Sequence, residues 1–532
     1  MSSSEGSNTL SNHATNGATP SVVASTAREH QELISRNASI PTTTSTSRFQ
    51  HIRRRTTQMF TPAKRVGKPP SILESLKAII CASWLNVLLI CIPISWILHW
   101  VLPQSFSNRD TLIFVFSFFA IVPLAKLLAF STEELSLRVG QTLAGLLNAT
   151  LGNAVELIVA IIALVKCELR VVQASLVGSI LSNLLLVLGM CFFAGGLKYS
   201  EQGFGVSATQ LNSSLLTISV IAVLLPAAFH FSANPSLTDA QEAHDILAVS
   251  HGVAVILLFI YAGYLSFQLY SHAALYEDKG IHSIRSTNYA SPKFRFRRAR
   301  NGLHQMHDHH NRDNDIESTP TAVTSRTATA TSESLEGNHV QQHTRFGPEQ
   351  RHETPIEEKE EEEEQPMLSL WMTIALLATV TVLVAITAEW LVDSINGLTA
   401  SGAISKEFVG IILLPIVGNA AEHVTAVTVS VKDKLNLSLG VAVGSSIQIA
   451  LFVIPFIVIL AWILEKPLTL LFDPYESVAL FLSVLTVNYV VQDGKSNWLE
   501  GFILMCLYVI LAVTFWFYPV IDSPILHTQS CS

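Results

Sequence analysis

Charge is scarce in this chain. Asp, Glu, Lys and Arg make up 14% of its 532 residues, against roughly 25% in soluble domains. With 49% of residues hydrophobic, too little polar surface is left to clothe a water-soluble protein of this length. Cysteine is sparse and unpatterned. Cys81, Cys91, Cys191 and Cys506 fall inside apolar stretches, so they read as small buried hydrophobes rather than as a disulfide framework or a zinc site. The start, Met1-Ser-Ser-Ser-Glu-Gly, lacks a basic segment followed by an apolar core, and a cleaved signal peptide is not expected. No nucleophile–base set and no cofactor-cradling loop appears, which argues against an enzyme and against a bound cofactor. Nucleic acid is not an expected partner; the lipid bilayer is.

What the chain does have is long apolar runs. Eleven segments lie near the ~20 residues needed to cross a bilayer, among them Lys77–Leu102, Val139–Val165, Lys406–Val431 and a short tenth, Ser477–Val491. The fold class is all-α integral membrane, with about 11 transmembrane helices. Set the leading span aside and two groups of five remain. Five is odd, so the groups enter the membrane in opposite directions, as inverted repeats do. The expected organisation is a disordered cytoplasmic segment (1–70), the leading span and first repeat (71–271), a polar cytoplasmic insert (272–366), the second repeat (367–519) and a lumenal tail (520–532). Arg53, Arg54, Arg55, Lys64, Arg65 and Lys68 precede the first span, which places the N-terminus in the cytoplasm under the positive-inside rule. Arg109, Lys166, Arg170, Lys406 and Lys466 oppose that assignment.

The repeats share a phrase: Gly-Asn-Ala-Val-Glu at Gly152–Glu156 and Gly-Asn-Ala-Ala-Glu at Gly418–Glu422. Each Glu is followed 22 residues later by Gly-Ser, at Gly178-Ser179 and Gly444-Ser445. At an offset of 266, 12 of 39 aligned positions are identical. A carboxylate at membrane depth is costly and is read as functional. Gly152 and Gly418 permit local unwinding that frees carbonyls, Asn153 and Asn419 add amide oxygens, and Ser179, Ser445 and Gln448 add neighbouring oxygens. Six to eight hard oxygen ligands are what Ca2+ asks for, and the Cys and His ligands of softer metals are missing from the motif. Small residues that merely pack helices are the bland alternative, but duplication at matched distance from matched carboxylates outweighs it. An empty site with both Glu ionised is costly, and either Ca2+ or protons neutralise it.

Weaker signals accompany this core. His423 follows Glu422 and is a candidate for proton coupling or for an ordinary helix–helix hydrogen bond. Glu133, Glu134, Glu389 and Asp393 stand at span ends, as gates for cations or as interfacial charges. Within the insert, Glu357, Glu358, Glu360, Glu361, Glu362, Glu363 and Glu364 form an acidic run. It reads as a solvated linker or as a regulatory segment that attracts Ca2+. The cluster His304, His307, His309 and His310 reads chiefly as a solvated loop.

The strings Ser131–Ile161, Ser179–Met190, Phe408–Val429, Gly440–Phe452 and Leu471–Gly501 closely resemble the calcium/proton exchanger (CAX) family, most of all its fungal vacuolar members. The resemblance covers Leu76 to Pro519 apart from the insert. It implies an antiporter that drives cytosolic Ca2+ into an acidic organelle against outward-flowing protons, with Glu156 and Glu422 as the carboxylates that hold Ca2+ and H+. His251 departs from it, standing where the family pattern Ser-Arg-Gly would have Arg. Two alternatives stay open: an exchanger that prefers Mn2+ or couples to Na+, and a transport-inactive membrane sensor or scaffold.

Overall fold

A computed structural model describes residues 66–232, 238–272, 275, 286–288, 365–400 and 402–518. Most of 1–70, the His cluster, the acidic run and the C-terminal tail lie outside these residues.

In a bilayer the backbone must satisfy its own hydrogen bonds, so apolar runs fold as helices. The leading segment is interrupted: α1 (Ile72–Cys81), a 3-10 stretch (Trp84–Ile90) and α2 (Cys91–Val101). A single span over Lys77–Leu102 was expected. Ser83 breaks it, its hydroxyl accepting from the Leu85 amide at 3.2 Å and starting a new helix. The first repeat continues as α3 (Arg109–Ser136), α4 (Gln141–Leu151), α5 (Ala154–Val165) and α6 (Leu169–Leu181). A π-helical stretch (Ser182–Val187) joins α6 to α7 (Leu188–Lys198), and α8 (Val206–Ser232) and α9 (Asp239–Ser266) follow.

The second repeat reproduces this plan. It begins with α10 (Leu370–Thr399), then α11 (Lys406–Phe408), a π stretch (Val409–Leu413), α12 (Leu414–Gly418) and α13 (Ala420–Val431). Next come α14 (Leu435–Gln448), a π stretch (Ile449–Val453) and α15 (Ile454–Ile463), then α16 (Pro474–Val490) and α17 (Trp498–Phe517). Even the turns correspond. Cys167 and Asp433, 266 apart, both take φ 61°. Cys167 is disulfide-bonded, whereas Cys81, Cys91, Cys191 and Cys506 are free, as the sequence reading has them.

Among the described residues, eight helices are long and apolar enough to cross a membrane, and two bent pairs raise this to ten. α16, at the place of the expected short tenth span, has 17 residues and falls outside these ten, so the expected count of eleven is compatible with the fold. Its two ends lie on opposite faces. At one, Asp473 accepts from the Tyr518 hydroxyl at 3.0 Å; at the other, Lys495–Ser496 pair with a strand that follows α7. That strand, β1 (Tyr199–Gly203), lies between β2 (Thr287–Asn288) and β3 (Lys495–Ser496) in an antiparallel three-stranded sheet. The sheet is the exception to an otherwise helical fold and marks the insert face.

Burial orders the layers. Within an 18-residue apolar stretch of each span, 83% of residues are buried in Leu169–Lys198 and 61% in Leu435–Ile463, against 22% in Trp498–Phe517. The fourth and ninth spans therefore form the centre, and the others present apolar side chains such as Phe259 and Trp371 outward, as lipid requires. The leading segment docks through aromatics: Trp96 meets Trp390 edge-on at 5.2 Å, and His99 stacks on Trp390 at 4.7 Å.

Candidate functional site

The two shared phrases are where the membrane helices break. The axis bends by 46° between α4 and α5 and by 55° between α12 and α13. Asn153 and Asn419 sit at the joints, both outside helical geometry (φ −102°, ψ 28° and φ −81°, ψ 6°). Each joint starts a new helix, and Glu156 and Glu422 stand in its first turn. There the unpaired amides and the helix dipole favour negative charge.

The inverted arrangement brings these joints against the central spans of the opposite repeat. Ser445 donates to Asn153 Oδ1 at 2.7 Å, and Asn153 donates to Gln448 Oε1 at 2.7 Å. Across the pseudo-axis, Asn419 donates to the Ser179 carbonyl at 3.3 Å. Asn183 donates to Ser445 Oγ at 3.0 Å. The Glu156 carboxylate lies against Gly418: a Cβ there would sit 2.8 Å from Glu156 Oε1. Glu422 feels the charge of Glu156 and reaches Ser445 and Asn183. Thus Glu156, Glu422, Asn153, Asn419, Ser179, Ser445, Gln448 and Gly418 converge on one region, while Gly152 is exposed, and a Cβ there would meet only the Asn148 carbonyl of its own turn.

Several acceptor oxygens in this region are left over. Glu422 Oε2, Asn419 Oδ1 and Asn183 Oδ1 are buried without a hydrogen-bond partner. Buried orphans of this kind are rare in folded proteins and require an explanation. All three are acceptors, so a cation would complete them, and a proton would complete the carboxylate alone. A cavity of about 20 Å³ lies beside Glu156, lined by Val159, Ser175, Ser179, Val417 and Gly418 among others. That is room for one water-sized species. No cluster of three or more His, Cys, Asp or Glu able to hold a metal occurs among the described residues. Ligation here would rest on two carboxylates supplemented by amide and hydroxyl oxygens.

The outlying candidates sit elsewhere. Glu134 accepts from the Met367 and Leu368 amides, each at 3.1 Å, and so fixes the start of the seventh span. Glu389 and Asp393 pair with Lys166 at 3.1 and 2.9 Å. Glu133 lies within the field of Lys126. His423 points its Nε2 into a buried, unpartnered position. Asn183, which the sequence places downstream of Gly178-Ser179 at helical spacing, bridges to Ser445. Lys126, inside α3, was passed over in the sequence; it donates to Thr425 on α13 at 3.1 Å. A lysine within an apolar span is itself a functional signal and could have flagged it.

The model for the family described as sodium/calcium exchanger protein matches residues 109–270 and 372–517. A vacuolar calcium ion transporter of Cryptococcus neoformans var. grubii is 55% identical over 491 residues, 88% of this chain and 79% of that one. A Ca2+/H+ antiporter of Aphanothece halophytica is 38% identical over 436 residues, covering 82% and 97%. The crystal structure of the Ca2+/H+ antiporter protein YfkE superposes with a TM-score of 0.56 at 27% identity, covering 82% of this chain and 99% of that one.

Proposed function

Because the chain belongs to the sodium/calcium exchanger protein family, we propose that it is an antiporter exchanging cytosolic Ca2+ for protons of an acidic organelle. The vacuole is the favoured compartment, given relatives described as vacuolar calcium ion transporters. Glu156 and Glu422 are the exchanging carboxylates. The observation that carries this reading is the set of unpartnered acceptor oxygens around Glu156, which is buried, and Glu422, whose Oε2 is buried, contributed by opposite repeats. The insert face is cytosolic, consistent with the basic residues before the first span, and the far face is lumenal.

The mechanism follows from charge. With both carboxylates bare, the site holds two negative charges where solvation is poor, and moving it is costly. Ca2+ cancels both charges, and so do two protons. Only loaded forms reorient readily, so passage of one ion against the other is coupled. Asn153, locked between Ser445 and Gln448, holds one joint in place. Asn419, Asn183 and Ser179 offer the oxygens that replace water around the cation.

The test is uptake of radioactive Ca2+ into vesicles carrying the full chain, with an imposed pH gradient. Glu156→Gln and Glu422→Gln each preserve size and one oxygen but lose charge and the titratable proton; each is expected to abolish uptake at matched expression. Uptake is also expected to stop with a protonophore, to persist without Na+, and to exceed that of Mn2+. Near-normal uptake by either Gln variant sinks the two-carboxylate mechanism, and Na+-dependent uptake without a pH gradient reassigns the coupling.

A further inference from the structure

A second polar cavity lies nearer the far face, apart from the central site. It is again about 20 Å³ and is lined by Arg170, Gln173, Glu407, Asp473 and Glu476. Three carboxylates face one guanidinium. Arg170 bonds Glu407 Oε1 at 3.4 Å, yet Glu407 Oε2 is buried with no partner. Glu407 is 7% exposed and Glu476 is 3% exposed, so both carboxyl groups are withdrawn from bulk solvent. Asp473 is committed: it caps α16 through the Tyr475 and Glu476 amides and accepts from Tyr518. Lys406, from the same face, is held by Glu168 at 3.1 Å. That leaves Glu407 and Glu476 as the groups with unused acceptor capacity.

The repeat symmetry shows that the charge is particular to this face. At the offset of 266, Arg170 corresponds to Asn436 and Glu407 to Gln141. Matching the starts of α16 and α8, Asp473 and Glu476 correspond to Gly205 and Ala208. The equivalent cluster on the insert face is neutral. Had these residues served only to pack the fold, the related halves would have had no reason to differ in charge.

Position adds direction. Arg170 and Gln173 lie on α6, and the same helix presents Ser175 and Ser179 from its other side to the cavity beside Glu156, since at ~3.6 residues per turn the two pairs point in nearly opposite directions. At 1.5 Å per residue, Gln173 and Ser179 are about 9 Å apart along the axis. Moving inward from the far face, one meets the acidic cavity, then the serine-lined cavity, then Glu156.

We propose that Glu407 and Glu476 form a second protonation site, the port at which lumenal protons enter on their way to the central carboxylates. A proton leaves hydronium in the lumen, binds a carboxylate oxygen of this pair, and then moves on around α6 to Glu156, restoring the outer carboxylate. The outer cavity has room for one water beside the pair. Ca2+, which asks for six to eight oxygens, is not its ligand.

This rests on the antiport reading, and one experiment separates the two. Ca2+ uptake by vesicles containing the full chain is measured against lumenal pH at fixed cytosolic pH, for wild type, E476Q and E407Q. The expected result is full uptake in a strongly acidic lumen, with the midpoint of the lumenal profile moved about one unit towards acid, the displacement of a tenfold change in protonation. The half-saturating Ca2+ concentration on the cytosolic side stays at the wild-type value. A loss equal at every lumenal pH would make the pair a structural ion network and overturn the port, as would unchanged profiles in both variants. Should E476Q fail to accumulate, the profile of E407Q decides alone. Wild-type uptake that ignores lumenal pH overturns the antiport reading and the port together.

Discussion

Two pairs of glycines hold matched places in the repeats, Gly152 with Gly418 and Gly178 with Gly444, and their surroundings do not match. A Cβ at Gly178 would run into the Ile411 carbonyl and the Pro415 ring, whereas one at Gly444 would meet nothing within 4 Å. Sequence symmetry makes these glycines equals, and packing makes them unequal. Gly444→Ala is therefore expected to melt within about 0.5 kcal/mol of wild type, and Gly178→Ala to lose about 1–3 kcal/mol through overpacking, both read by thermal unfolding in detergent. Gly418→Ala is expected to reach the membrane yet lose most Ca2+ uptake, because the methyl occupies the space of the Glu156 carboxylate. Equal melting losses at Gly178 and Gly444, or full transport by Gly418→Ala, would contradict this account. The repeated phrase made Glu156, Glu422 and their Asn neighbours legible in the sequence. Which glycine touches which carboxylate was not, since that depends on how opposite repeats interlock.

Elements tell a similar story. The apolar runs announced the spans, and the Gly-Asn joints announced the two breaks. The sheet was invisible, because two-residue strands carry no alternation to detect. The far-face cavity was also invisible: Arg170, Glu407 and Glu476 are distant in sequence and meet only through the topology. Of the five basic residues that oppose the positive-inside bias, four, Lys166, Arg170, Lys406 and Arg109, are ion-paired with carboxylates. Glu134 is the clearest case of an acid serving an element rather than an ion. Both its oxygens hold the backbone where the insert ends and α10 begins. Glu134→Ala strands two amides, and a loss of about 1–3 kcal/mol is expected in the same melting assay. Lys166→Met, which removes only partly exposed pairs, is expected to cost at most about 1 kcal/mol. The reverse ranking would place Glu134 outside this structural role.

At the scale of the whole molecule, the two repeats are fastened differently on the two faces. On the far face the ties are side-chain ion pairs, such as Lys406 with Glu168 and Arg170 with Glu407. These are weak in the presence of water and can change partners. On the insert face the ties include backbone: β1 of the first repeat pairs with β3 of the second and with β2 at the edge of the insert. Gln202 adds a bond from its side-chain amide to the Ser430 carbonyl at 3.0 Å, and Ser286 one to Asp433 at 2.7 Å. A sheet that joins the two repeats in this way would serve as a fulcrum. If one repeat rocks on the other, label pairs at positions 201 and 495 should hold their separation between Ca2+-loaded and acid-loaded protein, and pairs at 168 and 396 should not. A larger change at the sheet would remove it as the pivot. If the sheet is that pivot, each swing is converted into its widest displacement at the opposite face, where exchangeable ion pairs rather than backbone join the two repeats and a small force has the most mechanical leverage.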